Sequence, residues 1–333
     1  MGKRFLVIQT AFIGDAILAT ALLEELHLNY PDAQVDLLVR KGNEPLFEKH
    51  PFIHSLYVWD KSGSKVKNLY GIISQIRKIR YDRVINLHRF MSSGIITAFT
   101  RAKEKAGFNK NPLSAFYTIK KEHVIGDGRH EVERNAELIS DISAKRVHRP
   151  KIYPLDDHFQ NLVKYKKHAY ICLAPTSVWF TKQLPKDKWL NLLTHLKDKY
   201  SVYLLGAPGD RDACEEIAKY FTNGKVFNLA GRLNLLESAA LMKDAVMNYV
   251  NDSAPMHLAS AVNAPVTAVF CSTVPAFGFG PLSDKSHLVE VNESLDCRPC
   301  GLHGYSKCPE GHFKCAKNIT IDQLIEPLKY YED

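Results

Sequence analysis

The order of apolar and polar segments predicts an α/β protein made of two Rossmann-like, doubly wound parallel-sheet domains. Three observations predict it. Short apolar runs of strand length alternate with longer segments of helical periodicity, as in βαβ units. The alternation is interrupted by a polar, Pro-containing stretch near 150–160 and then restarts. The 333 residues suit two domains at roughly 150 residues each. The expected domains are 1–157 and 158–333. In such sheets ligands sit at the carboxyl ends of the strands, and two facing domains would enclose a cleft.

The elements follow in order. Phe5-Leu6-Val7-Ile8 reads as a buried strand, and Gly14 to Leu28 as a helix with Ile17, Leu18, Ala21, Leu22 and Leu26 on its apolar face. Strands are expected at Val35–Val39, Leu56–Trp59 and Arg83–Leu87, with an amphipathic helix over Leu69–Arg80 between the last two. After the interruption come a strand at Tyr170–Ala174, a helix over Trp189–Lys199, and a strand at Val202–Leu205 ending in Gly206-Ala-Pro-Gly209. Val246–Val250 then leads through Asn251-Asp252-Ser253 into a helix reaching Ala261, and Val266–Phe270 is a further strand.

Composition sets the outer limits. The chain is 45% hydrophobic and 24% charged, an ordinary globular balance, with no apolar run near the roughly 20 residues of a membrane-spanning helix. The basic tip and short apolar run at the start do not make a signal peptide, because Gln9, Thr10, Gly14 and Asp15 follow and no small-residue cleavage site does. Cytoplasmic residence and reduced thiols are therefore expected for the seven cysteines. Residues 1–157 hold 25 Lys and Arg against 18 Asp and Glu, so +7 of the net +8 lies in the first half. A basic surface suits an anionic partner, or simply solubility.

Five segments are candidates to carry chemistry. The first loop, Gln9 to Asp15, has one glycine where a dinucleotide-binding loop has three, which argues against a pyrophosphate cradle there. It offers Asp15 instead, as a helix N-cap or as a general base aimed into the cleft, with Gly14 beside it on the acceptor side. Asn251-Asp252-Ser253-Ala254-Pro255-Met256-His257 opens a helix whose amides and dipole favour an anion. Pro255 fits the first turn, where its missing N–H costs nothing. His257 reads as a hydrogen-bonded core histidine before a catalytic one. The loop after the 170–174 strand offers Thr176, Ser177, Thr181 and Lys182, hydroxyls and a cation suited to a diphosphate. Finally, Cys297-x2-Cys300-x7-Cys308-x6-Cys315 would suit a structural zinc or packed free thiols or a redox pair. Asp210-Arg-Asp212 has the look of a cation-binding D-x-D, and also of ordinary helix-start acids.

Taken together, Phe12-Ile-Gly-Asp15, Thr181-Lys182-x-x-Pro185-x-x-x-Trp189, Asn251-Asp-Ser-x-Pro-Met-His-Leu-Ala259, Phe279-Gly-Pro-Leu282 and the Cys297–His312 segment resemble glycosyltransferase family 9. That family contains the ADP-heptose:lipopolysaccharide heptosyltransferases. The resemblance implies a GT-B fold, an acceptor on the N-terminal domain and a nucleotide sugar on the C-terminal one. It implies Asp15 as catalytic base, and a donor site of Thr176, Ser177, Thr181, Lys182, Asp252, Ser253, Ala254, Met256 and His257. It implies an ADP-heptose donor, no required cofactor and no catalytic metal. It also implies a phosphorylated lipid A–core acceptor met at the inner membrane face, and no nucleic acid. Ala254 departs from the glycine of the family's N-D-S-G segment, at a cost if that position needs positive φ. Lys65, Lys67, Arg77, Lys78 and Arg80 flank Ile72, Ile73, Ile76 and Ile79, a pattern read as a packed amphipathic helix before a membrane-facing one. The alternatives are a nicotinamide-dependent oxidoreductase, opposed by the single glycine, and a catalytically inactive nucleotide-sugar-binding protein.

Overall fold

The computed structural model describes residues 2–222 and 224–331. The chain divides into two compact units, Met1–Tyr153 and Pro154–Asp333.

The first unit runs β1 (Arg4–Gln9), α1 (Ile13–Asn29), β2 (Gln34–Arg40), β3 (Ile53–Trp59), α2 (Lys65–Ile76), β4 (Arg80–Asn86), α3 (Met91–Phe99), β5 (Arg101–Phe108), β6 (Ile119–Lys121) and α4 (Glu131–Ala136). Its six strands are parallel in the order β3-β2-β1-β4-β5-β6. Phe5 to Ile8 of β1 and Leu37 to Val39 of β2 are almost fully buried, because helices cover both faces of a parallel sheet. Ile72 and Ile76 of α2 pack with Leu6, Ile8, Leu38, Tyr81 and Val84 on one of those faces. The chain then returns onto α1, where Lys151 N–H donates to Thr20 Oγ1 at 2.8 Å and Tyr153 Oη–H to Glu24 at 2.6 Å.

The second unit runs α5 (Asp156–Gln160), β7 (Tyr170–Ala174), α6 (Lys186–Leu196), β8 (Ser201–Leu204), α7 (Arg211–Ala218), β9 (Val226–Asn228), α8 (Leu235–Lys243), β10 (Met247–Asn251), α9 (Ala254–Ala261), β11 (Val266–Phe270), β12 (Ser286–Glu290), α10 (Lys314–Lys317) and α11 (Ile321–Lys329). Its strand order, β12-β11-β10-β7-β8-β9, is again all parallel. Read from the first strand of each unit, the two sheets have the same 3-2-1-4-5-6 order, that of the doubly wound dinucleotide-binding fold.

The division falls between Tyr153 and Pro154, and residue 157 lies within α5. β5, β6, β9 and β12 escape the sequence reading. β5 begins Arg-Ala-Lys-Glu-Lys with its first half open to solvent, β6 and β9 are three residues long, and β12 is an edge strand. Apolar patterning marks strands covered on both faces, and these are not.

Candidate functional site

In a doubly wound sheet the ligand position is the switch point, where neighbouring strands send their connections in opposite directions. Here that point lies between β1 and β4 in the first unit, and between β7 and β10 in the second. Each of these four strands is followed by a loop that carries a candidate residue.

In the first unit β1 leads into α1, whose N-cap is Phe12 rather than Asp15. Asp15 is the third helical residue, so its carboxylate faces the first-turn amides. Although partly open to solvent, it is packed deeply enough that desolvation pushes its carboxyl up to about 6. The negative charge of Glu131 adds to the rise, while Arg89 and the amides of Asp15 and Phe12 oppose it. Around it, Lys61 Nζ donates to the Thr10 carbonyl at 2.5 Å, and Thr10 Oγ1 lies 3.0 Å from His88 Nδ1. Burial, with Arg40 nearby, lowers the Lys61 ammonium to about 8. Burial, reinforced by Lys61 and Arg89, lowers His88 to about 3, so its imidazole is neutral.

Behind Asp15 stands a chain of ionisable groups that the sequence did not disclose. Arg89 Nη1 lies 3.2 Å from His123 Nδ1, His123 Nε2 lies 2.9 Å from Glu131 Oε2, and Arg134 Nε donates to the same oxygen at 2.9 Å. His123, Glu131 and Arg134 are buried. Burial alone would raise Glu131, but the hydrogen bonds and charges of His123 and Arg134 outweigh it and hold the carboxyl below its usual range. These residues are scattered over more than forty positions, and no local motif marks them.

In the second unit the loop after β7 holds Lys182 and the loop after β10 holds Asp252. Lys182 Nζ lies 2.7 Å from Asp252 Oδ2, and Thr273 Oγ1 donates to that oxygen at 2.5 Å. Asn251, the last residue of β10, fastens the Lys182 loop by accepting from Leu184 N–H at 3.0 Å and donating to the Pro175 carbonyl at 2.8 Å. Thr181 is buried and its hydroxyl is already engaged: Ser272 Oγ donates to it at 3.0 Å and Tyr305 N–H at 2.7 Å. Thr181 therefore holds Lys182's loop. Cys300 N–H to Ser272 O at 2.8 Å, and Arg298 Nη2 to Thr273 O at 2.8 Å, tie the cysteine-bearing segment to the end of β11. The hydroxyls after the apolar β11 run were a legible signal for Ser272 and Thr273.

Ser253 is the N-cap of α9 and Ala254 its first residue, with Pro255 in the first turn as expected. Met256 N–H bonds to Ser253 O at 3.0 Å, and Pro255 has none, so among the described residues the amides left to an anion are those of Ser253 and Ala254. Ala254 is not among the residues of positive φ, so alanine carries no backbone strain there. The Met256 side chain is fully buried and His257 nearly so, which places both in the core beneath the loop. Thr176 and Ser177 stay partly exposed beside Lys182. Asp210 accepts from Ala207 N–H at 2.7 Å, as an acid at a helix start does.

The cysteines do not assemble a metal centre. Among the described residues no three His, Cys, Asp or Glu side chains are placed to hold an ion. Cys297 Sγ is 3.9 Å from His312 Nε2, Cys300 and Cys315 are buried, and burial raises both thiols, Cys315 to about 11. Cys300 and Cys315 are packed, protonated thiols.

Twin sheets of one topology, each with charged loops at its switch point, define a two-domain α/β protein of the GT-B type. The profile of glycosyltransferase family 9 (heptosyltransferase) matches residues 70–303, and the chain belongs to that family. It is thus a glycosyltransferase, and the oxidoreductase alternative falls away. Lipopolysaccharide heptosyltransferase 3 of Escherichia coli K12 is 28% identical over 283 residues, 79% of this chain and 81% of that one. Two solved structures share the fold. E. coli ADP-heptose lps heptosyltransferase II has a TM-score of 0.82 at 20% identity over 98% of both chains. A family 9 glycosyltransferase from Veillonella parvula has a TM-score of 0.84 at 20% identity, over 99% of this chain and 97% of that one.

Proposed function

We propose that this enzyme transfers a heptose from ADP-heptose, with inversion, to the phosphorylated inner core of lipopolysaccharide, at the cytoplasmic face of the inner membrane. What carries the reading is the division of chemistry between the two switch points. One presents a carboxylate of raised proton affinity, and the other a lysine with helix-start amides.

The acceptor hydroxyl must lose its proton as its oxygen attacks the anomeric carbon. Asp15 takes that proton, and a base with pKa near the working pH is both mostly ionised and proton-avid. The bond from the anomeric carbon to the diphosphate breaks as the new one forms, so a single displacement inverts the configuration. The departing ADP gains negative charge, which Lys182 and the amides of Ser253 and Ala254 stabilise without a cation. Asp252 holds Lys182 in place before the donor arrives. Thr176 and Ser177 supply hydroxyls to the diphosphate. Arg89 beside Asp15, and Lys61 with Arg40 at the Thr10 end of the same loop, suit phosphates on the acceptor.

The test is a donor screen by calorimetry, followed by turnover on a lipid A–core acceptor with and without a chelator. ADP-heptose binding and chelator-resistant transfer are expected. Binding with no transfer on any core acceptor would select the inactive-binder reading, and a strict requirement for divalent cation would remove the metal-free mechanism.

A further inference from the structure

The outer face of α2 carries an arrangement that folding does not explain. Its inner face is ordinary: Ile72 and Ile76 are buried, with Leu69 and Ile73 packed beside them. Away from the sheet-facing Ile72 and Ile76, at the solvent edge of the helix, Val66 and Tyr70 are 81% and 74% exposed, one turn apart on the stripe that also carries Leu69 and Ile73. Lys65 and Lys67 adjoin Val66, Arg77 lies about two turns beyond Tyr70, and Lys78 and Arg80 follow it; all five are exposed. From Lys61 to Tyr81 the chain has six cations and no acid. Lys65 and Lys67 lie in the first turn, where the helix dipole disfavours positive charge and no acid offsets it. At the other end Arg77 is near enough to Lys105 to add to the lowering of its ammonium, which burial begins. Without an ion pair among the described residues, like-charged and apolar at once, the face is costly in water alone.

We infer that this face of α2 docks on an anionic phospholipid surface, with Val66 and Tyr70 entering the interface and the flanking lysines and arginines contacting lipid phosphates. An interfacial helix binds through this combination of apolar side chains and a basic margin. A second copy of the chain does not fit, since it would set the same cations against each other. The inference locates the membrane contact that the proposed function requires, but its test needs neither donor nor acceptor.

The experiment is co-sedimentation of the full-length protein with mixed phosphatidylglycerol–phosphatidylcholine vesicles and with pure phosphatidylcholine vesicles. Wild type should bind the anionic vesicles and not the neutral ones, less so as salt rises. Lys65→Glu/Lys67→Glu should weaken binding by tenfold or more, on the order expected for removing two interfacial cations. Val66→Glu/Tyr70→Glu should abolish it, and neither pair should alter thermal unfolding or transfer to a soluble, delipidated core acceptor. Equal binding to both vesicle types, binding unaffected by either pair, or displacement by millimolar inorganic phosphate would each overturn the inference. Absence of transfer in wild type would count against the proposed function alone.

Discussion

A base held at raised proton affinity costs folding free energy, and Asp15→Asn exposes both sides of that exchange. Its carboxyl sits near 6 in place of the ordinary 3.8. At about 1.4 kcal/mol per tenfold change in proton affinity, the ionised carboxylate opposes folding by up to about 3 kcal/mol. Partial solvent access reduces this to roughly 1–3 kcal/mol. The sign is definite. The folded state holds the proton more tightly than the unfolded one, so the cost is complete above about pH 6 and vanishes as pH falls below about 4. Asn carries no charge to desolvate. Asp15→Asn should therefore unfold at higher temperature than wild type at pH 7.5, by about 2–4 °C per kcal/mol in a unit of this size, and at the same temperature near pH 4. It should bind ADP-heptose normally and lose transfer by about 10²–10⁴-fold, the usual share of general-base catalysis. The wild-type rate should fall about five- to sixfold from pH 6 to pH 5, as a single base with pKa near 6 is protonated. Calorimetric unfolding at both pH values and a pH–rate profile are the assays. Retained transfer in Asp15→Asn would refute the base assignment, and a stability gain equal at pH 4 and 7.5 would refute the desolvation argument.

Four further outcomes follow from the geometry. Glu131→Gln removes a charge that raises Asp15, so the acidic limb of the pH–rate profile should move to lower pH. Lys182→Met should weaken donor binding about ten- to hundredfold by calorimetry, the scale of a lost charge-assisted bond, and lower stability by leaving buried Asp252 with Thr273 alone. At Gly304, φ is +76° and an added Cβ would lie 2.8 Å from Thr181 Oγ1. Gly304→Ala should thus cost about 1–3 kcal/mol in denaturant unfolding and loosen the Lys182 loop, raising the donor Kd. Ala254→Gly should not raise the rate and should cost up to about 1 kcal/mol, because the position is helical and unstrained.

Sequence alone determined the parts of this protein that are locally encoded. Strands covered on both faces announce themselves as apolar runs, so β1, β2, β7, β10 and β11 were legible, and with them the twin doubly wound architecture. Loops that leave such strands are equally legible, which is why Asp15, Lys182 and Asp252 could be named from short motifs. What the tertiary structure decided is what those residues experience. Asp15, which the sequence offers as an N-cap or as a general base, stands two positions inside the helix, under the charge of a glutamate 116 residues away. Thr181 was named for its hydroxyl, which accepts from Tyr305 N–H and Ser272 Oγ. The four cysteines are spaced as zinc ligands or packed thiols could be, yet among the described residues no three His, Cys, Asp or Glu side chains are placed to hold an ion. The physical reason is common to all three. Periodicity and motif report the chain's own backbone path, whereas desolvation, hydrogen-bond occupancy and charge coupling depend on side chains that distant segments bring alongside.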